Sequence, residues 1–301
     1  MNKSKINYDS ASGRKRLLNK NTAPYIFLIP AVLLFAVFTI YPFVKTFILS
    51  FQTREAGHYV FSGLANYKRL LGDRIFLTAL YNTFIYLIIQ VPVMTVLSLL
   101  MAVGLNSRLL AWKSQFRLGF FLPAVTEMVA YSMVFFIILS DNGLLNYVLY
   151  LLHLDKISWL TSPFWAKMSI IMALTWRWTG YNAVIMLAGL QNIPDSLYEA
   201  ATIDGANQVQ KFFHITVPQM RPIILFSVIL STIGTLNLFS EPYILTNGGP
   251  ADATITMGLY LYKQGFQSFN FCYASAISVV ILIITVLFSI IQLKIGGKEN
   301  A

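Results

Sequence analysis

Charge is scarce in this chain: Asp, Glu, Lys and Arg make up 11% of its 301 residues, whereas an average soluble domain carries about a quarter. Too few charges are present to cover a water-facing surface, and the balance points to lipid. Cysteine is scarcer still. Cys272 stands alone, which excludes an internal disulfide, and no Cys/His cluster has metal-ligand spacing, so no metal is implied. There is no Gly-x-x-x-x-Gly-Lys-Ser/Thr phosphate loop, so nucleotide chemistry would have to lie in another chain. No nucleophile–base pair or metal set suggests a membrane enzyme. Internal repeats, low-complexity tracts and heptad seams are also missing. His58, His153 and His214 are isolated and read as surface residues.

Apolar residues are abundant, at 56%. Stretches near the ~20 residues needed to cross a ~30 Å hydrocarbon layer begin at Tyr25, Thr78, Phe116, Lys167, Pro222 and Cys272. The expectation is an all-α integral membrane protein with six transmembrane helices. The longest connections, around Arg54 to Asp73 and Thr246 to Phe271, leave no room for a separate soluble domain. Residues 1–21 read as a basic N-terminal segment, and residues 22–301 as one six-helix domain.

The net charge of +10 is spread over loops that flank apolar spans, which fits membrane topology better than nucleic-acid binding. Segments assigned to the inside hold Lys3, Lys5, Arg14, Lys15, Arg16, Lys20, Arg108, Lys113, Arg117, Lys211, Arg221, Lys294 and Lys298. Those outside hold fewer basic residues, and the positive-inside rule then puts both termini in the cytoplasm. The run from Tyr25 to Leu49 is too long for a secretory signal and lacks a small-residue cleavage site, so it is retained as an anchor.

Along the chain, Leu122-Pro123-Ala124 is expected to kink helix 3, and Asp141-Asn142-Gly143 to form an outer turn. Trp159, Phe164 and Trp165 suit an interfacial aromatic belt before helix 4. Two charges fall inside predicted spans, Glu127 on helix 3 and Arg177 on helix 4, and each costs roughly 2.5 to 3.5 kcal/mol at a helix centre. A mutual ion pair is expected, with lining of a translocation path as the alternative. Glu241 is placed near the outer end of helix 5, either guarding an entrance or sitting at the headgroups.

Between helices 4 and 5 lies Asn192-Ile193-Pro194-Asp195, then Glu199-Ala200-Ala201-Thr202-Ile203-Asp204-Gly205-Ala206, ending at Ile215-Thr216-Val217-Pro218. Locally this reads as two short helices: Pro194 and Asp195 suit a first turn, Gly205 ends the first helix in the left-handed conformation, and Pro218 stops the second. Phe212, Phe213 and Ile215 are expected to fix the loop to the membrane body.

The spacing of Glu199, Ala200, Ala201, Gly205, Ile215 and Pro218, with Val217 in a leucine slot, resembles the EAA loop of ABC importer permeases. The resemblance covers nearly the whole chain beyond its first twenty residues. It is nearest the maltose, lactose and multiple-sugar permeases through Phe61 to Tyr67, Asn82-Thr83, Ile193-Pro194 and Leu245-Thr246-Asn247-Gly248-Gly249-Pro250. It implies a type I importer fold in its compact six-helix form, located in the prokaryotic cytoplasmic membrane. It implies a cytoplasmic coupling loop over residues 192–220, with Glu199, Ala200, Ala201, Asp204, Gly205, Ile215 and Pro218 meeting an ATPase dimer that uses the ATP. A second homologous permease and an extracellular binding protein that delivers sugar complete the implied assembly.

By the same resemblance, Trp176, Thr179, Gly180, Ser231, Gly234, Thr235 and Leu238 stand where maltose-type permeases contact sugar. Helical spacing puts Trp176, Thr179, Gly180 and Ala183 on one face of helix 4, with Thr175, Trp178 and Asn182 on an adjacent one. Small and hydroxyl residues also pack membrane helices together, and both readings stand at this point. A permease for glycerol phosphate, amino acids or peptides would share the loop; a secondary transporter would share the polar bundle but not the EAA spacing.

Overall fold

A computed structural model describes residues 23–107 and 112–297. The expected N-terminal basic residues Lys3 to Lys20, together with Arg108 and Lys298, lie outside the described residues. The described chain falls into two units, divided after Ile48.

The first unit is a helical run. Helix α1 (Ala23–Phe35) passes through a π turn (Ala36–Ile40) into α2 (Tyr41–Ser50), which leads into the second unit. The π turn has a local cause. A proline ring crowds the carbonyl four residues before it, and one extra residue in the turn ahead of Pro42 swings that carbonyl aside.

The second unit opens with a hairpin, β1 (Gln52–Glu55) against β2 (His58–Phe61), closed by Ala56 and Gly57 at positive φ. Next comes α3 (Ala65–Gly72), where Asn66 donates to the carbonyls of Ser50 and Gln52 at 2.9 and 2.8 Å. Asp73 then caps α4 (Arg74–Asn106), its Oδ1 accepting from the amides of Ile75 and Phe76. At 33 residues, α4 is ~50 Å long.

Beyond α4 lie α5 (Lys113–Val125), α6 (Met128–Leu139), α7 (Leu144–Leu151) and α8 (Pro163–Leu190). The chain continues through α9 (Asp195–Ile203), α10 (Gln208–Lys211), a π turn (Phe212–Thr216) and α11 (Val217–Leu236). Finally α12 (Ser240–Thr246) and α13 (Met257–Tyr262) lead through a π turn (Lys263–Gln267) to α14 (Phe271–Gly297).

Among the described residues, five stretches are long and apolar enough to cross a membrane: residues 25–50, 74–106, 128–151, 208–236 and 271–296. The remaining expected span corresponds to α8, 28 residues long, whose polar middle is turned inward: Arg177, Thr179 and Asn182 are all buried. Within the second unit α4 packs along α8, α5 lies on α8, and α11 lies against α4, α8 and α14. Apolar clusters centre on Tyr273 and Met257, on Ile170 and Leu174, and on Met186 and Met220.

Two local expectations are corrected. Helix 3 is not merely kinked at Pro123: it breaks at Thr126–Glu127, because the Glu127 carboxylate accepts from the amides of Val129 and Ala130 and starts a new helix. Nor does Pro218 stop a helix. The run from Gln208 to Leu236 is continuous, the π turn immediately before Val217-Pro218 absorbing the proline as the earlier one absorbs Pro42.

Candidate functional site

A cavity of about 380 Å³ opens among α4, α8, α11 and α12. Its polar lining includes Gln90, Asn182, Ser231, Thr235, Asn237 and Glu241. Trp178 and Tyr181 supply aromatic faces, set edge to face with ring centroids 5.9 Å apart. Gln90, Asn182 and Ser231 all direct donors at the Met94 sulfur, at 3.5, 3.4 and 3.9 Å. Thioether sulfur is a weak acceptor, so Gln90 and Ser231 are held in place without being strongly satisfied, while Asn182 Nδ2 also donates to Trp178 O at 2.9 Å. Ser227 fixes Asn182 by donating to its Oδ1 at 2.5 Å, and the Thr235 hydroxyl reaches Gln90 Oε1 at 3.2 Å.

The expected path residues are divided by the structure. Ser231, Gly234, Thr235 and Leu238 line this cavity, but Trp176, Thr179 and Gly180 line a second one, of about 550 Å³, between α5 and α8. From α8 it is Leu174, Trp178, Tyr181 and Asn182 that meet the α11 residues. Helical spacing says which residues share a face, not which way the face turns. Gly180 is a packing position: a Cβ there would overlap the Phe120 carbonyl oxygen, so only glycine lets α5 approach. The Thr179 hydroxyl is used within its own helix, donating to Thr175 O at 2.6 Å.

Arg177 and Glu127 do not pair. Glu127 is exposed and caps α6, whereas the Arg177 guanidinium lies 3.9 Å from Glu241, both side chains being buried. Tyr131 donates to the same Glu241 oxygen, and the guanidinium sits over the rings of Tyr131 and Trp178 at 4.4 and 5.1 Å. Burying two charges demands this kind of mutual compensation. Glu241 is therefore buried, not at the headgroups, because α11 ends at Leu236 and α12 carries it back against α6 and α8.

The expected loop over residues 192–220 folds as a helical hairpin. Glu199, Ala200, Asp204 and Gly205 are exposed; Ala201, Ile215 and Pro218 are half-buried. Gly205 has φ +80° and ends α9, as its spacing predicts. Sequence reasoning missed the ties that shape the hairpin. Tyr198 and Thr216 hydroxyls meet at 2.9 Å, Lys211 donates to Thr202 at 2.8 Å, and Asn207 with Gln210 forms a capping box before α10. The Asn-x-x-Gln spacing could have revealed the last of these. Phe212 packs against Met220 and its neighbours as expected, but Phe213 is 60% exposed and Ile203 87% exposed.

The Asn82-Thr83 and Asn-Gly-Gly-Pro segments also meet in space. Asn82 donates to the carbonyls of Asp252 and Ile255, both at 3.0 Å, and Thr83 accepts from the Met257 amide, so the start of α4 grips the segment after Asn247-Gly248-Gly249-Pro250. On the same side, Asp73 Oδ2 accepts from Tyr260 and Tyr273 at 2.5 and 2.6 Å.

A helical membrane bundle with an internal polar cavity and an exposed hairpin between its long helices defines a membrane transport subunit. The sequence matches, over residues 59–295, the family described as binding-protein-dependent transport system inner membrane component, and the chain belongs to that family. It is 43% identical to the lactose transport system permease protein LacF of Rhizobium radiobacter, over 94% of this chain and 96% of the relative. It is 38% identical to the arabinooligosaccharides transport system permease protein AraP of Bacillus subtilis, over 95% and 92%. Its fold is that of a bacterial ABC transporter subunit involved in alginate import, with a TM-score of 0.82 at 21% identity, covering 92% and 96% of the two chains. The protein is a multi-pass permease subunit of a prokaryotic inner membrane.

Proposed function

We propose that this permease carries a sugar or small oligosaccharide, handed over by an extracellular binding protein, through the cavity among α4, α8, α11 and α12. The observation that carries the reading is the set of donors from Gln90, Asn182 and Ser231 held on the Met94 sulfur beside Trp178 and Tyr181. A sugar hydroxyl is a better acceptor than a thioether, and pyranose faces stack on aromatic rings. The lactose and arabinooligosaccharide systems named among its relatives are consistent with this class of solute. Asn182→Ala and Trp178→Ala should each lower sugar-stimulated ATP hydrolysis and uptake by at least about tenfold in the reconstituted complex. Unchanged uptake in both would remove the cavity from the path.

The hairpin 192–220 is the coupling element, seated on an ATPase dimer that hydrolyses the ATP; the chain itself performs no such chemistry. Its exposed Glu199 and apolar Ile203 and Phe213 suit a docked surface. Glu199→Lys should weaken docking without affecting insertion, since the change lies outside the apolar spans. Co-purification of the ATPase at the wild-type ratio would count against this seat.

A further inference from the structure

Glu241 is, among the described residues, the only charged one lining the cavity; the other polar linings are neutral amides and hydroxyls. Its carboxylate is half used. One oxygen accepts from Tyr131 and faces Arg177 at 3.9 Å, while among the described residues the other has no hydrogen-bond partner. Its partner Arg177 is buried and does not line the cavity. The pair therefore presents its negative end to the cavity and hides its positive end. A neutral solute meets a strong acceptor there, because a hydroxyl donating to a carboxylate makes a charge-assisted bond. An anionic solute meets a fixed like charge whose own countercharge, Arg177, lies outside the lining.

We infer that Glu241 is a specificity-determining residue that makes the cavity a charge filter, admitting neutral sugars and excluding acidic ones such as oligouronates. The inference rests on the sugar reading of the same cavity, and its test separates the two. Trp178 lines the cavity, so ligand entry can be read from its fluorescence in the purified transporter complex without the binding protein, whose own selectivity then does not enter. Trp178→Phe supplies the blank. The probes are lactose and arabinotriose against digalacturonate and trigalacturonate at low salt.

The neutral probes should quench Trp178 and the acidic ones bind at least about tenfold more weakly. Glu241→Gln should narrow that ratio by about tenfold or more by strengthening acidic binding. Because this variant leaves Arg177 without its partner, the paired variant Arg177→Gln/Glu241→Gln is measured beside it and should take both probe classes about equally. Acidic probes that bind wild type as tightly as neutral ones overturn the filter while leaving the sugar site in place. A neutral-to-acidic ratio that stays unchanged in the folded variants overturns the filter equally. Failure of the neutral probes to bind wild type at all overturns the sugar reading and the filter together.

Discussion

At the scale of single residues, the same chemistry serves packing in one place and charge management in another. Gly180 has a small-residue identity that suits either a substrate path or a helix crossing, and the Phe120 carbonyl decides for the crossing. Gly180→Leu should force α5 away from α8 and destabilise the protein by about 1–3 kcal/mol or more. The measurement is thermal unfolding of the detergent-solubilised complex, with and without sugar. A stable variant that has lost only sugar affinity would return Gly180 to the path. Asp73 manages charge at the head of α4. Burial works against its ionisation, but hydrogen bonds from Tyr260, Tyr273 and the amides of Phe76 and Ile75 outweigh that and hold the carboxyl below its ordinary 3.8. A carboxyl depressed in the folded state stabilises above its unfolded value and loses that contribution as pH falls through the folded one. Loss of the cap and of the tyrosine hydrogen bonds in Asp73→Ala, discounted for the partly solvent-exposed position, should cost about 1–2 kcal/mol at neutral pH. Its deficit relative to wild type should shrink as the pH is lowered past 3.8. A deficit independent of pH would mean that the side chain acts by shape alone.

At the scale of elements, the joints matter more than the rods. The second arm of the hairpin, α10, is one helical run with α11 through the π turn Phe212–Thr216, and the first arm is tied to that turn by Tyr198 to Thr216. On the proposed coupling role, a displacement of α9 would pass through this tie to α11, which lines the cavity. Gly205 turns the chain between α9 and α10 at φ +80°, in open space, so substitution there is opposed by backbone conformation and not by crowding. Gly205→Asp should strain the turn by about 1–2 kcal/mol. Sugar-stimulated ATP hydrolysis should fall while membrane insertion is retained. Full stimulation would show the turn to be dispensable for coupling. Much at this scale was legible in the sequence. Apolar runs marked the spans, and the EAA spacing with Gly205 marked the hairpin. The break at Thr126–Glu127 was not legible, because a mid-span glutamate reads as a charge seeking a countercharge when in fact its carboxylate satisfies the amides of a new helix. Pro218 misled for a related reason: proline stops an α-helix in water, but a π turn lets it pass.

At the scale of the whole molecule, what the chain leaves exposed argues that it works as part of an assembly. The cavity-facing side of α8 could not be chosen from sequence, since Trp176 and Trp178 offer equivalent rings on different faces; only α11 and α12 packed in place put Trp178 in the cavity. Arg177 and Glu241 are likewise paired by tertiary structure across distant segments. Long apolar helices account for exposed leucine, isoleucine and phenylalanine on the spans, where lipid replaces water. Lipid does not account for Ile203, Val209 and Phe213, which are exposed on a hairpin that also carries Glu199, Asp204 and Lys211. Such a mixed apolar and charged surface suits a protein partner, and the ABC importer architecture gives that partner as an ATPase. The expected assembly is one copy of this chain, one homologous permease and two ATPase domains. Native mass measurement of the complex expressed from its own set of subunits reads the stoichiometry directly. Ile203→Glu combined with Phe213→Glu should release the ATPase while this chain and the second permease remain together, because the two charges are introduced on the hairpin alone. Two copies of this chain with no second permease would refute the heterodimer. Retention of the ATPase by the double variant would show that the exposed apolar residues of the hairpin are not its seat.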